Sequence, residues 1–191
     1  MRKGYIYITS SGYDPEKGKS LNDPYLGTRP TLGACMTNIR NWVAPGDEIY
    51  LVSGKIKGVP QFIVGGFEVD KKIDAMTAYR TLPEHRLRLN SEGKLIGNII
   101  IDSKGHQHLL DTHEAASFAR RIENYVIGRD PVVLALPHEI KKGREETLYF
   151  LRDLFRKDGA SPYDILGRAS KLDERQLKEV RDWLYSIKTS H

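Results

Sequence analysis

Residues 31–70, TLGACMTNIRNWVAPGDEIYLVSGKIKGVPQFIVGGFEVD, read as helix, tight turn, strand, hairpin tip and strand, and the rest of the chain attaches to that run. Pro30 suits the first turn of a helix, and Leu32, Cys35, Met36, Ile39, Trp42 and Val43 recur at helical spacing. Ala44-Pro45-Gly46-Asp47 ends the helix, since proline lacks the amide proton and glycine permits the turn. Glu48–Ser53 is a short run of strand formers, Gly54–Pro60 is a lysine- and glycine-bearing tip, and Gln61–Asp70 is a second strand. Gly65 and Gly66 sit in its middle, where glycine marks a bulge, a barrel corner or a close approach. The expectation is a small curved sheet with a helix packed near its mouth.

Outward from this run, Lys3–Ser10 is a strand with Tyr5 and Tyr7 on one face and Ile6 and Ile8 on the other. Residues 11–29 form a loop long enough to suggest a functional one. Downstream, the pattern predicts a short helix over 72–82, an alternating strand at 84–90, a buried strand over 94–102, a helix over 113–126 capped by Thr112, and a strand after Asp130-Pro131. Residues 143–157 and 172–188 are amphipathic, with stripes Leu148, Leu151, Leu154, Phe155 and Leu177, Val180, Leu184, Ile187. This is an α+β chain: residues 1–139 form a small, partly closed mixed β-barrel with flanking helices, and 140–191 a helical C-terminal extension.

Composition narrows the classes. At 191 residues with 39% hydrophobic content the chain can bury a core, and no apolar run reaches the length of a membrane span. The N-terminal apolar segment is only a strand long, so no signal peptide is read, and one cysteine fits a reducing compartment; the expected location is cytoplasmic and away from membranes. The net charge of +5 is spread, with 18 basic and 16 acidic residues in 1–139 and 12 and 9 in 140–191. A polyanionic partner is compatible with that charge without being required by it.

Four constellations could carry chemistry. Tyr5, Tyr7, Tyr13, Tyr25 and Trp42 lie in sequence beside Thr9, Ser10, Ser11 and Asn22, and a flat base needs aromatic faces and a few edge hydrogen-bond groups. The alternative is that Tyr7 and Trp42 only pack the core. His106, His108, Asp111, His113 and Glu114 have ligand-bearing side chains, but they straddle a strand end and a helix start, so solvated loop histidines are the better reading and no metal is expected. Cys35 reads as a small core residue rather than a nucleophile. Arg29 and Arg40 suit phosphate oxygens, while Lys55 and Lys57 on the hairpin tip could touch phosphate or be solvated. The tail cations interleave with Glu174, Glu179 and Asp182, the pattern of a solvated helix face. Neither the phosphate-loop nor the dinucleotide fingerprint is present.

The order strand Y-I-Y-I-T-S, polar loop, T-L-G-A-C-M-T-N-I-R and P-G-D-E-I-Y-L-V-S-G resembles the nucleotide modification associated domain family, a branch of the PUA-like fold. Thr31-Leu32, Cys35, Ile39-Arg40 and Gly46-Asp47 carry the likeness, and G-G-F-E-V-D is similar to the second barrel strand of PUA-like, ASCH and EVE domains. The likeness is best over 3–70, and the chain departs from the pattern at G-N-I-I-I-D, residues 97–102. It implies a PUA-like barrel that recognises modified bases or nucleotides near DNA-modification or defence systems, with no cofactor. On that reading Tyr5, Tyr7, Tyr25 and Trp42 wall the base, Thr9, Ser10 and Ser11 bond its edge, Ser53 and Gly54 form the opposite rim, and Arg29 and Arg40 take phosphate. A small hydrolase on modified nucleosides, and a protein-interaction module using the tail helices, stay open as alternatives. The oligomeric state also stays open.

Overall fold

The computed structural model describes residues 2–190. In chain order the elements are β1 (Gly4–Ile8), a 3-10 turn (Pro15–Lys17), β2 (Thr31–Leu32), α1 (Thr37–Trp42), β3 (Glu48–Val52), β4 (Ile63–Ile73), α2 (Ala75–Thr81), a second 3-10 turn (Pro83–His85), β5 (Arg88–Leu89) and β6 (Leu95–Ile96). They continue with α3 (Ala115–Arg121), β7 (Tyr125–Val133), α4 (Pro137–Phe155), α5 (Pro162–Leu166), β8 (Ala169–Leu172) and α6 (Glu174–Thr189).

Among the described residues the strands form a six-stranded mixed sheet in the order β2-β7-β4-β3-β1-β8, with β5 and β6 as a separate pair. No closed barrel is found among the described residues, which corrects the expected PUA-like barrel. β1 is parallel to β3, with Gly4 opposite Glu48 and Ile8 opposite Val52. Its other edge is antiparallel to β8, with Gly4 opposite Leu172. An edge already filled by a late strand is not available for closure. The paired glycines also have a different use from a barrel corner. A Cβ on Gly65 would stand 2.1 Å from the Val132 carbonyl oxygen, and one on Gly66 would stand 2.3 Å from Tyr50 Cδ1. The β3–β4 register shifts between Leu51 and Val52, opposite Gly65 and Ile63, so a bulge leaves Val64 out of the ladder.

The chain divides into two compact units that do not follow a boundary at residue 139. The first joins the residues up to Leu21, Gly46–Glu68 and those from Asp130 onward; the second joins Asn22–Pro45 and Val69–Arg129. In the first unit all five residues of β1 and of β3 are buried, as befits strands flanked on both edges. The apolar stripe of α6 (Leu177, Val180, Leu184, Ile187) is buried too, and a Cβ on Gly4 would collide with Leu177. The tail is therefore a wall of the first unit, and its apolar face is covered.

The second unit has its own core of Ala75, Ala78, Leu82, Ile99, Ile101, Tyr125 and Ile127. Here the expected helix from residue 30 starts late. The Asp23 carboxylate accepts from the amides of Gly33, Ala34 and Cys35 at 2.7, 2.7 and 2.6 Å, which pins them in a turn. Thr31 and Leu32 pair instead with Ile127 and Val126. The helix expected at 113–126 shrinks to α3, capped at Glu114 rather than Thr112, because Tyr125 and Val126 belong to β7. The strand expected over 94–102 keeps only Leu95–Ile96 as ladder. No helix among the described residues is long and apolar enough to cross a membrane.

Candidate ligand groove

The first unit carries a groove along one face of α4. Glu139, Ile140, Gly143, Thr147, Leu151 and Leu154 are the helix's buried residues. The residues at helical spacing on the other side, His138, Lys141, Glu145 and Tyr149, face the groove or solvent. The helix is anchored at both the start and the middle. Glu139 accepts from the Ala135 and Leu136 amides at 2.8 and 3.0 Å and pairs with Lys188 Nζ at 3.1 Å. Burial alone would raise the Glu139 carboxyl pKa, but those amides and the lysine outweigh it and hold the group below its ordinary value. Farther along, Thr147 Oγ1 accepts from the Ile63 amide at 3.0 Å.

Two adjoining cavities follow. One, of about 540 Å³, is lined by Glu16, Pro60, Pro137, His138, Lys141, Arg144 and Glu145. The other, of about 520 Å³, is lined by the hairpin tip Lys55, Ile56, Lys57, Val59, Pro60 and Gln61, by Arg144, Glu145, Leu148 and Tyr149 of α4, and by Ala160–Pro162. Both volumes suit a small organic ligand. Tyr149 is 67% exposed, with the Arg152 guanidinium 5.7 Å from its ring centre. At the floor, Arg144 Nη2 lies 3.2 Å from the buried Asp14 Oδ1, and the guanidinium stands 5.5 Å above the Phe62 ring.

The residues singled out in the sequence fall into both units. In the first, Thr9, Ser11, Ser53 and Gly54 form one knot where β1 and β3 end. Thr9 Oγ1 donates to the Ser11 carbonyl at 2.6 Å and accepts from the Gly54 amide at 2.9 Å; Ser53 Oγ accepts from the Tyr13 amide at 3.1 Å. These groups bond one another, so the knot holds the loop and the hairpin tip rather than offering free edges. Gly12 belongs to the same fastening, since a Cβ there would stand 2.2 Å from Ile56 Cγ1. Tyr5 and Tyr7 are buried within the sheet, and Ser10 is exposed. The Tyr13 ring, 6.2 Å from that of Phe62, ties the knot to the groove floor.

In the second unit, Tyr25 sets its ring against His85 with centroids 4.8 Å apart, and Trp42 is 58% exposed. Arg29 is exposed. Arg40, however, is fully buried and gives its donors to carbonyls: Cys35 at 2.8 Å, Ala34 at 3.1 Å, Arg121 at 3.0 Å, and Glu123. An arginine so placed closes the chain around itself and leaves no face for phosphate. Cys35 is a shielded thiol: burial first, and the nearby Asp23 carboxylate second, push its pKa far up. Among the histidines, His113 Nδ1 lies 2.5 Å from Asp111 Oδ1 and His108 Nδ1 accepts from the Leu110 amide at 3.1 Å, so both fasten their loop. No group of metal-ligating side chains is found among the described residues.

The helix expected over 143–157 begins at Pro137 instead, so His138 and Lys141 lay outside the expected element, and an apolar stripe marks only the buried face of a helix. Lys55 and Lys57 were the available signal, since two cations on a glycine-bounded tip next to a β-bulge are placed to face something.

No family model and no curated protein matches the sequence. Among solved structures, a hypothetical protein from Leishmania major aligns over 98% of each chain with a TM-score of 0.46 at 10% identity.

Proposed function

We propose that the chain is a non-catalytic module that binds a nucleobase, in nucleic acid or in a nucleotide, with modified bases the class favoured by the family resemblance. One observation carries the reading: Lys55, Lys57 and Arg144 line the same cavity as the exposed ring of Tyr149. A nucleotide joins a flat π-face to a phosphate anion. A site for it needs an aromatic plate beside cations, and a lone basic patch lacks the plate.

The test is binding of plain and modified nucleosides, nucleotides and matched oligonucleotides across a salt series. Tyr149→Ala should weaken binding about tenfold, the scale of one lost base–aromatic stack. Base-dependent binding lost in Trp42→Ala instead would assign the site to the second unit. Steep salt dependence without base preference would reduce the claim to a generic basic surface, and no binding at low salt would end it.

A small hydrolase acting on modified nucleosides or nucleotides is the second reading. Lys141, His138, Glu16 and Glu145 line the other cavity, and acid–base chemistry needs such groups on one site. Turnover of nucleosides or nucleotides that Lys141→Ala and His138→Ala abolish would establish it in place of the first.

A further inference from the structure

Pro60, Arg144 and Glu145 line both cavities, so the two adjoin across one sill. Their charges differ. On the hairpin side Lys55 and Lys57 stand with one carboxylate, Glu145, while Arg144, shared by both cavities, is already paired with Asp14 and lies 4.0 Å from Glu16. On the other side Lys141 and Arg144 are matched by Glu16 and Glu145, with His138 beside them and the apolar rings of Pro60 and Pro137 at the edges. A phosphate is drawn to the first side and finds no net attraction on the second. Carboxylates between apolar walls accept hydrogen bonds from exocyclic amino groups, as on cytosine and adenine. Each cavity is already large enough for one small ligand, so a single nucleotide fills one and leaves the other to water.

We infer that the occupant is a single strand of nucleic acid at least two nucleotides long, with a phosphate on the Lys55–Lys57 side and an amino-bearing base on the Glu16–Glu145 side. This rests on the nucleobase-binding reading above and gives it a length and a base preference. The strand crosses the sill over Arg144, which lines both cavities. Tyr149 stacks the base on the lysine side, while Glu16 and Glu145 read the neighbour.

The experiment is fluorescence anisotropy with oligo(dA), oligo(dC) and oligo(dT) of one, two, four and six nucleotides at several salt concentrations. Affinity is expected to rise steeply from one to two nucleotides, with dA and dC above dT, which has no exocyclic amino group. Lys57→Gln should lower the salt slope by about one for every sequence, as for a lost phosphate contact. Glu16→Gln should erase the preference over dT and leave the salt slope unchanged; both side chains are exposed, so both variants fold. A mononucleotide that binds as tightly as the hexamer, or equal binding of dA and dT, would overturn the strand inference and leave nucleobase binding standing. Failure of every probe at low salt, mononucleotides included, would remove both.

Discussion

Asp14 Oδ1 and Arg144 Nη2 meet 3.2 Å apart at the floor of the groove, and the carboxylate is almost wholly buried. A buried carboxylate left with only the more distant Lys17, 4.0 Å away, is costly, whereas removal of both charges together is far less so. Arg144→Met should therefore destabilise the protein by about 3 kcal/mol, and the added Asp14→Asn should restore much of it. Urea unfolding of the two single variants and the double variant measures this; a double-variant loss equal to the sum of the two single losses would show that the pair contributes nothing as a pair.

Gly65 combines φ of +151° with a backbone approach that leaves a Cβ 2.1 Å from the Val132 carbonyl oxygen. Strain and collision act together at Gly65→Ala. The expected loss is about 3 kcal/mol or more, in the class of special-backbone substitutions. Gly18→Ala is the control, because its φ of +63° comes with open space around it. It should cost about 1 kcal/mol. Thermal melts that fail to separate the two would refute the close-approach account.

Glu139 gives a pH dependence with a definite sign. Its folded pKa lies below the ordinary carboxylate value of 4.5, so the native state favours the charged form. The contribution is full above that ordinary value and is lost as pH falls through the lower folded one. The melting-temperature gap between wild type and Glu139→Gln should be widest near neutrality and should narrow below pH 4.5. A gap that widens on acidification would reverse the argument.

Cys35 should be inert while the protein is folded. With its thiolate disfavoured by burial and by Asp23, alkylation by iodoacetamide at pH 8 should be at least about a hundredfold slower than for a free thiol. Denaturant should restore the ordinary rate. A fast native reaction would show that the thiol is open and activated.

Arg40 should prove structural. Arg40→Lys replaces a fork that serves carbonyls of Ala34, Cys35 and Arg121 by a point charge. The variant should lose about 3 kcal/mol, the scale of several charge-assisted bonds to a buried group. Amide exchange in residues 33–40 and 121–124 should rise, with the salt slope of ligand binding unchanged. A lower slope with full stability would return Arg40 to a phosphate role.

What was legible in the sequence was what repeats locally. β1, the β3–β4 hairpin, α4 and α6 announce themselves by alternation or by helical spacing, and the glycine pair in β4 correctly marks a bulge and a close approach. The start of α1 was illegible because its cause is distant. Without the Asp23 carboxylate on their amides, residues 33–35 carry a helical pattern. β7 was hidden by Asp130-Pro131, read as a strand opening when the ladder runs through it. The groove was least legible, since Asp14 and Arg144 are far apart in sequence and nothing local tells either residue of the other.

The pairing of β1 with β8 has a consequence for synthesis. β1 acquires its outer neighbour only from residues 169–172, and α6 covers it later still. On the ribosome, every segment of the second unit has emerged before the last wall of the first exists, so β1 must wait unpaired on one edge. A chain truncated after residue 139 and released from the ribosome should hold the second unit folded and leave β1 open to proteases or chaperones. Emergence of β8 and α6 is then the event that commits the first unit to its native form.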